Sequence, residues 1–364
     1  SVVGYFLNAE RFFYAYLTSF TFWVTIGVGG LFFVMLHHLV SAKWSVVLRR
    51  LTENVMVALP ILAIFFIPLI FGIQDLFHWS HAEVVANDPL LQQKAPYLNT
   101  TFFLVRAALY FGIWTLFARM LFKVSIVQDS GHTESLTARM KKLSAPGMLL
   151  FALTLTFASF DWLMSLDAHW YSTIFGVYVF SGSLLAILAV LTLLAVYLRK
   201  HDILRGTITV EHYHDLGKLM FAFTVFWAYI AFSQFMLIWY GNIPEETIWY
   251  KHRWEDMSWR VVSFIVLFGH FVVPFLALVT RAAKRNLTVL KAVSIWLLLM
   301  HWVDIYWIIL PNYSHSLTFS WMDITTLIGI GGVFFWYIWK AMSAHALIPV
   351  NDPKLQASIE FENQ

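Results

Sequence analysis

Nine long apolar segments dominate this sequence. Each has roughly 20 or more mostly apolar residues, which is the length that an α-helix needs to cross about 30 Å of hydrocarbon. Hydrophobic residues make up 60% of the 364 residues and charged residues only 12%. That charged share is about half of what a soluble domain carries. The sequence therefore predicts an all-α integral membrane protein with several spans.

The hydropathy pattern and the charged breaks between apolar runs set the positions of the predicted spans. We place them at residues 12–40, 51–74, 100–122, 146–166, 170–198, 217–240, 260–280, 291–311 and 322–343. Pro60 and Pro274 lie inside two of these spans and predict kinks, which packed membrane helices tolerate.

The distribution of Lys and Arg predicts the orientation. The connections after spans one, three, five and seven, together with the C-terminal segment, carry eighteen of the 24 Lys and Arg residues. The opposite side carries five, and Arg106 lies inside a span. Because positive residues concentrate in cytoplasmic loops, the first set is predicted to face the cytoplasm and the first residue to lie outside.

The up-down order of the spans predicts two four-helix bundles related by an axis along the membrane normal. The predicted organisation is a leading transmembrane helix with its inner loop over residues 1–50, a first bundle over 51–200, a second over 201–345 and a cytoplasmic tail over 346–364. The sequence starts with Ser1 rather than Met and leads almost directly into a span. Either a cleaved signal or a further helix upstream would explain both facts, and we expect the helix, giving ten spans in full.

Arg106 and Asp161 are ionisable residues inside neighbouring predicted spans. They lie about 9 Å and 8 Å below the outer ends of consecutive antiparallel helices, so their depths match. An ionised side chain in hydrocarbon must face the bundle interior and find a partner. The pair is either a structural buried ion pair or part of an outer polar pocket whose carboxylate accepts a proton from a hydroquinone.

His270 and His301 form a second depth match, roughly 14–15 Å below the outer ends of spans seven and eight. Asp304 is three residues from His301 and lies on the same helical face. Three interpretations stay open: a hydrogen-bonded structural cluster, a proton relay, or two axial ligands of a haem. A cytochrome that stacks two b-type haems needs four such histidines at two depths, and only this pair lies near mid-membrane.

The chain has no Cys. It therefore cannot hold an iron–sulfur cluster through thiolates or attach a c-type haem, and we expect no metal centre in it. Near the outer end of span two, His78 and His81 stand with Asp75 and Glu83, but their spacing fits no tight metal motif. An interfacial pocket or a contact with a neighbouring subunit is the better interpretation. The net charge of +3 is too small to indicate nucleic-acid binding.

Several segments resemble one known family. Residues 160–176 read FDWLMSLDAHWYSTIFG and form a short outer turn between spans four and five. Further matching segments are RFFYAY at 11–16, WSVVLRR at 44–50 and YHDLGK at 213–218. Over nearly its whole length the chain resembles the NrfD-like polytopic subunits of bacterial alternative complex III, most of all the smaller of the two in that complex.

The resemblance implies a multi-pass protein of the bacterial inner membrane with ten helices in two four-helix bundles. It also implies a respiratory electron-transport complex that oxidises menaquinol at the outer side. Its iron–sulfur and multihaem cytochrome c subunits would carry the electrons, beside a larger homologous polytopic subunit with the better-supported quinol site. A pocket in that family uses a His and an Asp near the outer side. Asp161 with His78 or His81 are the nearest candidates here.

The sequence thus predicts a non-redox membrane subunit of a menaquinol:electron-acceptor oxidoreductase, with no catalytic residue assigned. Its candidate quinone-binding residues are Asp161, His78, His81 and Arg106, and its candidate proton path runs through His270, His301 and Asp304. Two rivals remain, a haem b membrane anchor and a secondary transporter. The transporter would use Gly-interrupted helices such as those at residues 29–30 and 329–332.

Overall fold

The computed structural model of the protein describes residues 2–131 and 133–362. Within these residues the fold is all-helical, and nine helices are long and apolar enough to cross a membrane, as predicted. We label these spans α1 (Ala9–Leu39), α2 (Val46–Phe71), α3 (Thr100–Gln128), α4 (Thr133–Trp162), α5 (Phe175–Lys200), α6 (Val210–Gly241), α7 (Met257–Leu278), α8 (Leu287–Ile309) and α9 (Trp321–Ala344).

Short helices fill the connections between the spans. The α-helical ones are Val2–Leu7, Ile73–Leu76, Ala82–Ala86, Pro89–Lys94, Pro244–His252, Arg281–Arg285 and Leu355–Ile359. The 3₁₀ turns are His78–Ser80, Met164–Leu166 and Leu310–Asn312. Asp88 begins one of these helices as an N-cap and accepts from the backbone amides of Leu90 and Leu91.

Two spans are broken, as their prolines predict. In α2 the helical segments are Val46–Met56, Leu59–Phe65 and Ile67–Phe71, and each of the last two starts just before a proline. In α7 the segment Val266–Val272 is a π-helix that leads into Val273–Leu278 and its proline. Proline lacks the amide proton that continues a helix, so the hydrogen-bond ladder is interrupted at these points. π-Helical turns are rare and frequently lie at functional sites.

Several predicted spans were too short at the inner end, the end predicted to face the cytoplasm, including α3, which ends at Gln128, and α6, which starts at Val210. Two further errors concern α4 and α2. The helix α4 starts at Thr133 rather than near residue 146. Arg49 and Arg50, assigned above to an inner connection, lie inside α2 and are buried. Both errors have one cause, because hydropathy marks only the apolar part of a helix and these helices continue through charged residues.

The spans close into two four-helix rings, offset by one span from the predicted division. In the first ring α1, α2, α3 and α4 pack in sequence, and α4 returns to α1. In the second ring α5, α6, α7 and α8 pack in sequence, and α8 returns to α5. Helix α9 packs on α1 and α2. Because the spans alternate in direction, the predicted grouping and the observed grouping are both compatible with the sequence. The sequence therefore did not show that α1 belongs to the first ring.

Helix α1 lies at the interface of the two rings and packs against α5, α8 and α9 as well as its own ring. Its apolar window is 89% buried, compared with 28–50% for α2, α3, α4, α6, α7 and α9. Gly29 allows this contact, because a Cβ there would lie 2.6 Å from the carbonyl oxygen of Ser183 on α5. The leading span is therefore a central helix.

A buried charge network joins the inner ends of α2 and α3 to the C-terminal segment. The carboxylate of Glu53 pairs with Arg49 at 3.0 Å and with Arg50 at 2.9 Å. Arg49 also pairs with Asp352, and Arg50 pairs with Asp129 at 2.8 Å. Both guanidinium groups are almost fully buried. The segment predicted as a cytoplasmic tail is thus bound to the helices at Asp352.

Candidate functional site

Asp304 is the centre of a buried polar cluster inside the second ring. It lies in α8 and is 2% exposed. The hydroxyl of Tyr178 on α5 donates to its Oδ1, and the indole Nε1 of Trp227 on α6 donates to its Oδ2 at 3.1 Å. No Lys or Arg in the described part of the chain pairs with this carboxyl. When Asp304 is ionised, its charge therefore has to be offset by a different group.

His270 supplies that group from the π-helix of α7. Its Nδ1 lies 3.7 Å from Asp304 Oδ2, which is close enough for an ion pair when the imidazole is protonated. The ring packs against Trp227 in a tilted arrangement, with centroids 4.1 Å apart. Neither ring nitrogen makes a hydrogen bond to another described residue. The wide π-turn thus brings a fully buried imidazole beside the carboxyl.

His301 lies one helical turn from Asp304, on the side of α1. Its Nε2 is 2.9 Å from the hydroxyl of Thr25, which itself lies 2.8 Å from the carbonyl oxygen of Phe22. Since a hydroxyl has one proton, a Thr25 that donates to Phe22 accepts from His301. A neutral His301 then carries its proton on Nε2, and its Nδ1 is an acceptor without a described partner. The two histidine rings have centroids 6.4 Å apart.

The backbone of α5 fixes the position of His301. A Cβ at Gly182 would lie 3.0 Å from both Cε1 and Nδ1 of the imidazole. Ser183 follows in the chain and donates to the carbonyl oxygen of Thr25 at 2.6 Å. Close approach of α5 to α1 and α8 therefore holds the imidazole where Thr25 can bind it.

Chemically, the cluster can hold a proton at two sites. An isolated carboxylate in hydrocarbon is too costly, so Asp304 is either protonated or paired with a protonated His270. Both states are neutral overall and differ by the transfer of one proton over a short distance. The structure thus brings together all three residues predicted for the proton path. Within residues 2–131 and 133–362, no group of three or more His, Asp or Glu side chains is placed to hold a metal ion.

Arg106 and Asp161 meet at the outer side of the first ring, as their depths predict. The guanidinium binds both carboxylate oxygens, with Nε to Oδ2 at 2.8 Å and the second nitrogen to Oδ1 at 2.9 Å. Tyr110 donates to Oδ2 at 2.7 Å. Arg106 also lies over the ring of Tyr97, 3.9 Å from its centroid. Asp161 is fully buried, and only Oδ1 keeps capacity for a further donor.

His78 and His81 do not join this pair. Both side chains are exposed, and the Nε2 of His81 lies 2.8 Å from the carbonyl oxygen of Gln74. Neither forms an ion pair or hydrogen bond with Asp161 or Arg106 among the residues that the structure describes. The four candidate quinone-binding residues are therefore a buried ion pair and two surface histidines.

Sequence reasoning missed Tyr178, Trp227 and Thr25, which complete the cluster. Tyr178 is three residues from the outer end of α5 and Asp304 five from that of α8, so depth counting could have matched them. Counting residues from the outer end fails for Trp227, because α6 extends further at that end, to Gly241, than the spans beside it. Thr25 lies in a span that we had placed outside the bundles.

Arg253 is a fourth missed residue, since the sequence places it in an outer loop. It is 1% exposed and donates to the carbonyl oxygens of Trp249 at 2.7 Å and of Ile308 at 2.6 Å. Its guanidinium lies over the ring of Trp249, 3.5 Å from the centroid. Cations stabilise the negative ends of helices, so this side chain caps α8 just above the cluster.

Fold and site together define a multi-pass α-helical membrane protein with a buried cluster of ionisable side chains. No family model matches the chain, and no curated protein is significantly similar to it.

Proposed function

We propose that this protein is a membrane subunit of a menaquinol:electron-acceptor oxidoreductase of the alternative complex III type, in a bacterial inner membrane. In this proposal the chain holds and passes protons, and its partners carry the electrons. The support is the resemblance at residues 11–16, 44–50, 160–176 and 213–218, together with the polar cluster inside the second ring.

The cluster of Asp304, His270 and His301 carries the proton part of the proposal. Five of the nine described spans, namely α1 and the four spans of the second ring, surround the cluster or supply its residues. Much of the protein core is therefore built around three ionisable residues. A purely structural cluster would be expected to satisfy its hydrogen bonds. Here three of the four imidazole nitrogens make no hydrogen bond to a described residue. Groups of this kind in a membrane interior typically form proton relays.

Menaquinone is the proposed ligand of the outer pocket at Asp161, and the geometry supports this part less strongly. Arg106 and Tyr110 already occupy most of the carboxylate. A hydroquinone would have to bind at the remaining capacity of Oδ1 or displace one of these donors. The exposed His78 and His81 are better placed to contact a neighbouring subunit.

The electron carriers of the proposed complex lie in other chains. Its partners would be iron–sulfur and multihaem cytochrome c subunits and a larger homologous polytopic subunit. The absence of Cys from this sequence removes thiolate ligation of a cluster here.

Glycine packing argues against the rival transporter. Gly29 lies against Ser183, and Gly331 lies against the ring of Trp23, where an added Cβ would be 2.3 Å from Cζ2. Both glycines thus serve close helix contacts rather than an unwound binding segment.

Purification of the affinity-tagged chain from native membranes tests the proposal. We expect multihaem cytochrome and iron–sulfur subunits to co-elute, and the eluted complex to oxidise menaquinol. The isolated chain should show no Soret absorbance. A chain that elutes alone and drives solute uptake in vesicles is a transporter, and one that shows a Soret band is a haem b protein.

A further inference from the structure

An apolar cavity of about 360 Å³ lies between α5, α8 and α9 near their inner ends. It is lined almost entirely by hydrocarbon, from residues that include Val190, Leu193, Leu194, Leu298 and Phe335. The cavity lies outside the polar cluster and outside the buried ion pairs. Neither the candidate proton path nor the candidate quinone pocket uses it.

The packing of α9 explains why a cavity forms there. Trp23 of α1 lies against Gly331, and its Nε1 donates to the carbonyl oxygen of Leu327 at 3.0 Å. These contacts hold α9 on α1 and α2. A cleft therefore remains where α9 passes α5 and α8.

Basic side chains line the inner end of this cavity. Lys200 and His201 end α5, and Lys291 lies in the second turn of α8. Neither lysine forms an ion pair with a carboxylate of the residues described here. The cavity thus combines an apolar interior with two uncompensated cations at one end.

The length of the cavity along α5 matches the thickness of the hydrocarbon in one leaflet of a bilayer. Val190 and Lys200 are ten residues apart on α5, which corresponds to roughly 15 Å along a helix. Half of a hydrocarbon core is also about 15 Å. The charged end is the one predicted to face the cytoplasm, where the membrane surface is negative.

We infer that this cavity binds an anionic glycerophospholipid of the inner leaflet, with its phosphate between Lys200 and Lys291 and one acyl chain along the apolar lining. Charge complementarity selects an anionic lipid over a zwitterionic lipid or a neutral quinone. The inference is independent of the proposed function, because it rests on a different face of the protein.

Lipid titration of the purified, delipidated full chain in a neutral detergent tests this inference. Phosphatidylglycerol and phosphatidylcholine with identical acyl chains are added separately, and retained lipid is counted by native mass spectrometry. We expect one phosphatidylglycerol to be retained at low salt with about tenfold to thirtyfold preference over phosphatidylcholine. Each lysine near an anionic headgroup adds appreciably to the free energy of binding. The preference should fall as salt is raised.

Two variants distinguish binding of the lipid headgroup from binding of its acyl chain. Lys200→Ala with Lys291→Ala should abolish the preference for phosphatidylglycerol. Leu194→Trp should weaken retention of both lipids, because the indole fills the cavity without changing charge. The control is Arg139→Ala with Lys142→Ala, which removes the same charge from exposed inner positions on α4 and should retain the preference.

Three results would overturn the inference. The first is equal retention of the two lipids by the unaltered protein. The second is an unchanged preference in the Lys200/Lys291 variant. The third is displacement of phosphatidylglycerol by inorganic phosphate at comparable concentration, since the apolar cavity would then contribute nothing.

Discussion

His270 Nδ1 lies 3.7 Å from Asp304 Oδ2 inside the second ring, and no Lys or Arg among the described residues shares that carboxyl. This relationship separates the two ionisable sites of the protein. Asp161 has a permanent cation in Arg106, whereas Asp304 has only a histidine, whose charge depends on one proton. The first carboxylate therefore has a cation that does not depend on a mobile proton, and the second does not.

The Arg106–Asp161 pair is expected to contribute to stability. Asp161→Asn leaves a buried guanidinium without its carboxylate and should lower the free energy of unfolding by about 3–5 kcal/mol. Arg106→Met with Asp161→Leu should recover much of that loss, because no buried charge remains. Unfolding in detergent measures both. Quinol oxidation per folded Asp161→Asn complex should fall as well, because the proposed menaquinone would bind at this carboxylate, and an unaltered rate would contradict the quinone pocket.

The stability of the protein should depend just as strongly on the buried charge network at the inner end. Glu53→Gln removes the one carboxylate shared by Arg49 and Arg50, so we expect a loss of about 3–5 kcal/mol. The segment that holds Asp352 should also become accessible to protease, because Arg49 is no longer fixed. Thermal unfolding and limited proteolysis measure the two effects.

Glu255→Gln is the matched control for that change. Its pair with Lys251 is exposed on both sides, 65% and 61%, so its removal should cost less than about 0.5 kcal/mol. Equal losses for the two variants would show that the network at Glu53 does not stabilise the inner end.

Two neighbouring glycines in α9 give a sharp packing test. Gly331→Ala should cost about 1–3 kcal/mol, because the added methyl group would overlap the ring of Trp23. Gly332→Ala meets no atom within 4 Å and should be neutral or slightly stabilising. Thermal unfolding of the two variants distinguishes these outcomes. If both behave alike, α9 does not pack on α1 through this contact.

The outer connection between α2 and α3 should loosen at acid pH. The backbone amide of Leu91 and the side chain of His169 hold the pKa of the Asp88 carboxyl below its ordinary value. A lowered pKa in the folded state stabilises the loop above the unfolded value of about 3.9. That contribution is lost as the pH falls through the folded pKa.

Amide hydrogen exchange over residues 82–99, corrected for the intrinsic effect of pH, measures this loss. Protection should be constant from neutral pH to about pH 4 and then decline. Asp88→Asn should remove the pH dependence, whereas Glu83→Gln, an exposed acid in the same loop, should leave it unchanged. A decline that persists in Asp88→Asn would contradict the assignment.

Much of the fold followed from the sequence, because apolar runs report membrane spans directly. The depth arguments also placed Arg106 opposite Asp161, and His270 near His301 and Asp304. Hydropathy could not identify α1 as a central helix, since lipid and protein interiors select the same apolar residues. It also missed Glu53 and its arginines, because a buried charge network looks like a polar loop in a linear sequence.

Proton movement in the assembled complex tests whether Asp304 exchanges protons during quinol oxidation. The variant is Asp304→Asn, which keeps an acceptor for Tyr178 but cannot exchange a proton. The control is Asp215→Asn, a buried carboxyl at the inner end of α6 that pairs with Lys218. Both complexes are checked for full subunit composition before protons moved per menaquinol oxidised are measured. We expect this ratio to fall in Asp304→Asn and to be unchanged in Asp215→Asn. An intact Asp304→Asn complex with the unaltered ratio and rate would contradict this expectation.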